Sequence, residues 1–134
     1  FELRGCPINQ YQFIEVLLSL VGGRRPRGPN HSVCLDCKRR GNVCVVVASG
    51  TPCLGPITQS GCGAICPTYD RGCYGCYGPA PQANVKALVN QFESLGSTAV
   101  QLVPLLRNFN AAAPDFRRAS ERLAATTSGE SAEA

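Results

Sequence analysis

Nine cysteines constrain this 134-residue chain more than any other feature, and eight of them fall between positions 34 and 76. They stand at Cys34, Cys37, Cys44, Cys53, Cys62, Cys66, Cys73 and Cys76, with Cys6 set apart near the start. The spacing is C-x2-C-x6-C-x8-C-x8-C-x3-C-x6-C-x2-C, enough thiols for two quartets. The stretch "CLGPITQSGCGAICPTYDRGCYGC" sets five cysteines among five glycines and two prolines. Such backbone is interrupted too often for long helices or regular strands. It needs a covalent or metal scaffold to stay folded.

Four chemistries compete for these thiols. Disulfides fit poorly, because nine is odd and the 58 residues after Cys76 hold no cysteine. Zinc is the serious structural alternative. "CLDCKRRGNVC" has the C-x2-C-x6-C spacing of fungal binuclear zinc-cluster DNA-binding domains, but the second half-motif fails after Cys53. A zinc ribbon needs its two C-x2-C pairs to face each other, and here four single cysteines separate them. A catalytic thiol would have to rely on His31, the only histidine. Iron–sulfur clusters fit best. Their thiolates converge from several directions, and their sulfurs want backbone N–H donors close by. Glycine permits that approach, and proline keeps the loops from collapsing into helix. "GAICP" repeats the Cys-Pro ending of bacterial ferredoxin motifs. Lys38, Arg39 and Arg40 offset cluster charge on this reading, or form a plain solvated face.

Flanking segments read as helices. Asn9 caps a helix whose stripe is Phe13, Val16, Leu17, Leu20 and Val21, and Gly22 and Gly23 stop it. Asn84 caps a second, with Val85, Leu88, Val89, Phe92 and Leu95 on one face and Gly96 at its end. A third starts near Ser97 and is kinked or split at Pro104. A fourth follows Pro114, and the polar tail is expected to be disordered. The expected division is 1–23, a helix beside Cys6; 24–81, the two-cluster region; 82–125, the C-terminal helices; and 126–134, the tail. The fold class is small α plus irregular, with cysteine-rich loops wrapping two clusters between helices.

The formal charge of +4 is modest and gives no nucleic-acid signature. The longest apolar run, Phe13 to Val21, is too short to span a bilayer. The chain has no Met and begins with Phe1, so it is expected to be the C-terminal part of a longer protein.

"RGCPINQ", "VCLDCKRRGNVCVVVASGTPCLGPITQSGCGAICP" and "RGCYGCYGP" resemble the small, electron-transferring subunit of [NiFe]-hydrogenases. The resemblance covers about residues 1–118. It leans toward the cytoplasmic, bidirectional type that couples hydrogen to NAD(P), also called sulfhydrogenase. A more distant similarity, through the "GCP" element, is to the cluster-binding subunit of respiratory complex I.

The resemblance implies three clusters. Cys6 would be the last ligand of a proximal [4Fe-4S] cluster whose other ligands lie in a flavodoxin-like N-terminal domain, absent from this chain. Cys62, Cys66, Cys73 and Cys76 would hold a medial [4Fe-4S] cluster. Many periplasmic relatives have Pro where Cys66 stands and carry a three-iron cluster there. Cys34, Cys37, Cys44 and Cys53 would hold a distal [4Fe-4S] cluster. His31 stands in the H-x-x-C relation to Cys34 that those relatives use for ligation. Cys37 is favoured because an all-thiolate quartet then closes without His31, and Asp36 is a remoter alternative. Crossing of ligands between the sites is a further possibility. The implied role is a non-catalytic electron wire between a nickel–iron large subunit and a flavin and Fe–S partner binding NAD(P), in the cytoplasm. The rivals are a stand-alone two-cluster ferredoxin-like carrier and a zinc-binding structural or nucleic-acid module.

Overall fold

The computed structural model describes residues 1–133. Among the described residues seven helices carry the chain: α1 (Gln10–Val21), α2 (Val33–Arg40), α3 (Val45–Ser49), α4 (Ile65–Thr68), α5 (Val85–Ser94), α6 (Ala99–Arg107) and α7 (Pro114–Glu133). A 3-10 turn, Gly55–Ile57, lies between α3 and α4. Among the described residues the only β pairing is two isolated antiparallel bridges, Ser32 with Gln59 and Thr58 with Pro79. The helical frame with an irregular, cysteine-rich middle matches the expected class.

The C-terminal helices make the main core. Val85, Val89 and Phe92 of α5 pack with Leu102 and Leu106 of α6 and Phe116, Ala119 and Leu123 of α7. These positions repeat at three and four residues, so each helix turns one apolar stripe inward. Leu54 and Ile57 of the middle region enter the same core and anchor the loops to it. The second core is smaller and joins Val33, Val45 and Ala64 to Cys53 and Cys73. The loops are therefore pinned partly by their own cysteines.

Helix ends follow local chemistry. Asn9 Oδ1 accepts from the N–H groups of Tyr11 at 2.9 Å and Gln12 at 3.3 Å. Asn84 Oδ1 accepts from Ala87 N–H at 3.1 Å. Thr98 and Gln101 close a capping box on α6.

The α1 stripe is uncovered in the described chain: Phe13, Leu17, Leu20 and Val21 are exposed, and Ser19 is the one buried residue of α1. A stripe read from spacing shows what a helix offers, and here the rest of the described chain does not cover it. Two expectations need correction. Pro104 does not split its helix, since α6 runs unbroken from Ala99 to Arg107. The bond it forgoes is one to Val100, at an exposed position. Finally, α7 continues through Glu133 where a disordered tail from residue 126 is expected. The hydroxyls of Thr126, Thr127 and Ser128 donate back to the carbonyls of Arg122, Leu123 and Ala124, so these polar side chains are accommodated on the helix. Ala134 lies outside the described residues.

Candidate metal centres

Short helices and turns present the thiols. Cys34 and Cys37 lie three residues apart on α2 and so share a face. Gly41, in the left-handed region at φ 71°, ends α2 and turns the chain toward Cys44 at the start of α3. Cys53 lies two residues before the 3-10 turn, with Leu54 between them. Cys66 lies in the first turn of α4, behind Ala64, a fully buried residue held at φ 60°. Cys73 and Cys76 flank a turn with Gly75 at φ 81°. No two of the nine cysteines are joined by a disulfide.

The first four thiols act on one another. Burial pushes the Cys34 thiol up to about 11, and Cys53, Cys37 and Cys44 add to the rise, while Lys38 opposes it. Cys37 is raised first by burial and then by Cys53 and Cys44, with the Asn42 side chain opposing. Cys53 is raised by burial, against the backbone amides of Cys73 and Gly55. In the second group Cys73, Cys66 and Cys76 are raised as well. Burial pushes Cys73 up to about 12, with Cys53 and Cys62 adding and the Gly75 amide and Thr58 hydroxyl opposing. Cys66 is raised by burial and by Cys62, with Arg71 opposing. Cys76 is raised by burial, Cys62, Cys6 and Cys66, while the Cys6 amide opposes. Every one of these shifts disfavours an uncompensated thiolate. A cationic metal centre reverses that preference, because it holds its thiols deprotonated.

Polar groups around the thiols suit such a centre. The Gly55 N–H donates to Cys53 Sγ at 3.4 Å and the Cys73 N–H at 3.1 Å. A Cβ on Gly55 would sit 3.3 Å from Cys53 Sγ and 3.6 Å from Cys34 Sγ, so its absence keeps the space between two sulfurs clear. The Arg40 guanidinium reaches from α2 to Gly63, with Nη2 3.1 Å from where a Cβ would lie. Among the described residues, no three Cys, His, Asp or Glu side chains are grouped so that they could hold one metal ion. The donor set, four soft thiols with backbone N–H groups aimed at sulfur, fits an iron–sulfur cluster.

His31 pairs with Asp36 through one ring nitrogen. Its Nε2 lies 3.1 Å from Asp36 Oδ1, and the Ser60 hydroxyl donates to Asp36 Oδ2. The cation triplet of α2, Lys38, Arg39 and Arg40, is exposed along its length.

Sequence reasoning missed three residues of this region. Tyr77, 7 % exposed, donates its hydroxyl to the Pro7 carbonyl at 2.8 Å. Thr58 donates to the Leu54 carbonyl at 2.6 Å and lies beside Cys73. Asn110 Nδ2 donates to the Gly75 carbonyl at 3.0 Å, and its buried Oδ1 has no hydrogen-bond partner among the described residues. Adjacency to Cys76 was an available signal for Tyr77. None existed for Asn110, which is 34 residues from Cys76 in the chain.

No family model matches the chain. It is 40 % identical over 88 residues to the delta subunit of sulfhydrogenase 2 from Pyrococcus furiosus, covering 66 % of this chain and 37 % of the relative. It is 29 % identical over 129 residues to the G subunit of the vhu F420-non-reducing hydrogenase of Methanococcus voltae, covering 82 % of this chain and 45 % of the relative. A shorter match, 56 % over 32 residues, is to the iron-sulfur G subunit of the F420-non-reducing hydrogenase of Archaeoglobus profundus, covering 24 % of this chain and 10 % of the relative. The chain thus spans less than half the length of these relatives. The resemblance to hydrogenase subunits, read from the cysteine segments, is borne out by these matches.

Proposed function

From its similarity to the delta and G subunits of hydrogenases, we propose that this chain relays electrons within a [NiFe]-hydrogenase. Cys62, Cys66, Cys73 and Cys76 hold a medial [4Fe-4S] cluster on this reading, and Cys34, Cys37, Cys44 and Cys53 a distal one. Cys6 supplies one ligand to a proximal [4Fe-4S] cluster, completed by a flavodoxin-like domain outside this chain. The clusters supply one-electron redox capacity at potentials between roughly −700 and +450 mV. The partners are the nickel–iron large subunit on one side and a flavin, Fe–S and NAD(P)-binding subunit on the other, in the cytoplasm. Among the described residues no helix is long and apolar enough to cross a membrane.

The chain's own residues hold and tune the clusters and carry out no bond-making or bond-breaking step on substrate. Gly55 and Cys73 donate N–H groups to Cys53 Sγ, and hydrogen bonds to sulfur raise a cluster's potential by offsetting negative charge. Lys38 and Arg71 bring positive charge toward Cys34 and Cys66. We assign Cys37 rather than His31 to the distal set, because an all-thiolate quartet closes without the histidine.

One observation carries this reading: a cysteine spacing that supplies two quartets, in a chain similar to hydrogenase delta and G subunits. The test is iron, zinc and acid-labile sulfide per chain after anaerobic purification. About eight irons with matching sulfide are expected for the two complete quartets. Two zincs without sulfide would overturn the relay and leave a structural metal module. Eight irons in a chain that associates with no hydrogenase subunit would favour a stand-alone carrier.

A further inference from the structure

The structure assigns Tyr77 as a positioning residue that sets the separation between Cys6 and the Cys62–Cys76 group. This rests on the reading that both hold iron–sulfur clusters. The Cys6 segment is attached to the second group of thiols at three points. Tyr77 follows Cys76 directly, and its hydroxyl donates to the carbonyl of Pro7, which follows Cys6, at 2.8 Å. Asn9 Nδ2 donates to the Gly61 carbonyl at 2.7 Å, beside Cys62. The Cys6 amide faces the Cys76 sulfur.

Two glycines make room for the tyrosine ring. A Cβ on Gly5 would lie 2.8 Å from Tyr77 Cζ, and one on Gly61 would overlap Cε1 and Cδ1. The ring therefore fills a slot whose walls are the residue before Cys6 and the residue before Cys62. A ring in such a slot cannot shift without moving one wall, and one wall carries each candidate ligand. The hydroxyl bond then fixes how deeply the ring is seated. Electron exchange between two redox groups depends steeply on their separation. Spacing is thus a property that a side chain touching neither sulfur can control.

The test compares Tyr77→Phe and Gly61→Ala in the assembled, anaerobically purified complex. Tyr77→Phe keeps the ring and loses the bond to Pro7. Gly61→Ala pushes the ring out from the opposite wall. The readout is the EPR splitting between the reduced proximal and medial clusters, with iron and sulfide measured alongside. Both variants are expected to keep the parental iron content and to lose or strongly narrow the splitting. An unchanged splitting in both, with clusters intact, overturns the assignment of Tyr77 and leaves the relay standing. Loss of iron from both shows that Tyr77 only maintains the site, and it overturns the spacing role. A parent protein without coupled clusters sinks the relay itself.

Discussion

The backbone N–H of Cys73 donates to Cys53 Sγ across 3.1 Å, and the Leu54 N–H next to Cys53 returns a bond to the Cys73 carbonyl at 3.0 Å. These residues belong to different quartets by spacing, yet they form one junction. Both are buried, and both lie in the smaller core with Val33, Val45 and Ala64. Whatever binds one quartet is therefore mechanically tied to the other.

Replacing Cys53 tests that junction. Cys53→Ala removes the acceptor of two backbone N–H groups, and a buried donor left unpaired costs about 1–3 kcal/mol. The expected outcome is a loss of roughly half the iron together with a lower melting temperature. Iron analysis and thermal unfolding check it. An iron content equal to the parent's would remove Cys53 from the ligand set.

Cys66 decides the nuclearity of the medial site. It occupies the second position of α4, where the N–H has no partner within the helix, so proline is tolerated there. Cys66→Pro is expected to leave the fold intact and convert a four-iron cluster to a three-iron one. EPR of the oxidised protein and iron content read the change. Unaltered signals would contradict the assignment of Cys62, Cys66, Cys73 and Cys76 as one ligand set.

His31 and Cys37 separate cleanly. His31→Ala loses a contact to Asp36 and is expected to keep its iron. Cys37→Ala is expected to lose the distal cluster. Side-by-side iron and sulfide assays decide between them, and the reverse pattern would make the histidine the ligand.

Gly72 packs directly on the Pro52 carbonyl, where a Cβ would overlap the oxygen. Gly72→Ala must therefore push the Cys73 loop away from Cys53. Overpacking of this kind costs roughly 1–3 kcal/mol, and more where backbone is the obstacle. A drop in denaturation midpoint with partial loss of iron is expected, and denaturant titration of the anaerobic protein measures it.

Phe92 serves as the contrasting control. It is 1 % exposed in the C-terminal core, and Phe92→Ala is expected to cost about 3–5 kcal/mol. In native conditions its cluster spectra should match the parent's. Altered spectra in folded protein would mean that the helical core also shapes the sites.

Local sequence determined much of this protein. Thiol spacing marked the candidate ligands, because cysteines this dense on glycine-rich backbone have few chemical uses. Asn9, Asn84, Gly41 and the apolar stripes of α5 and α7 set helices through nearest-neighbour hydrogen bonds and periodic burial, which need only a few residues in succession. Tertiary structure alone decided the rest. The α1 stripe has a helical period, but whether it is covered depends on what packs against it. Thr126, Thr127 and Ser128 look like a loose tail, yet their hydroxyls bond back along α7. Tyr77 reaches Pro7 and Asn110 reaches Gly75 across separations of 70 and 35 residues, and no local pattern encodes such a meeting. Spacing names the ligands because coordination chemistry is written in residue types. How far apart the ligand groups stand is decided by packing, a property of the whole fold.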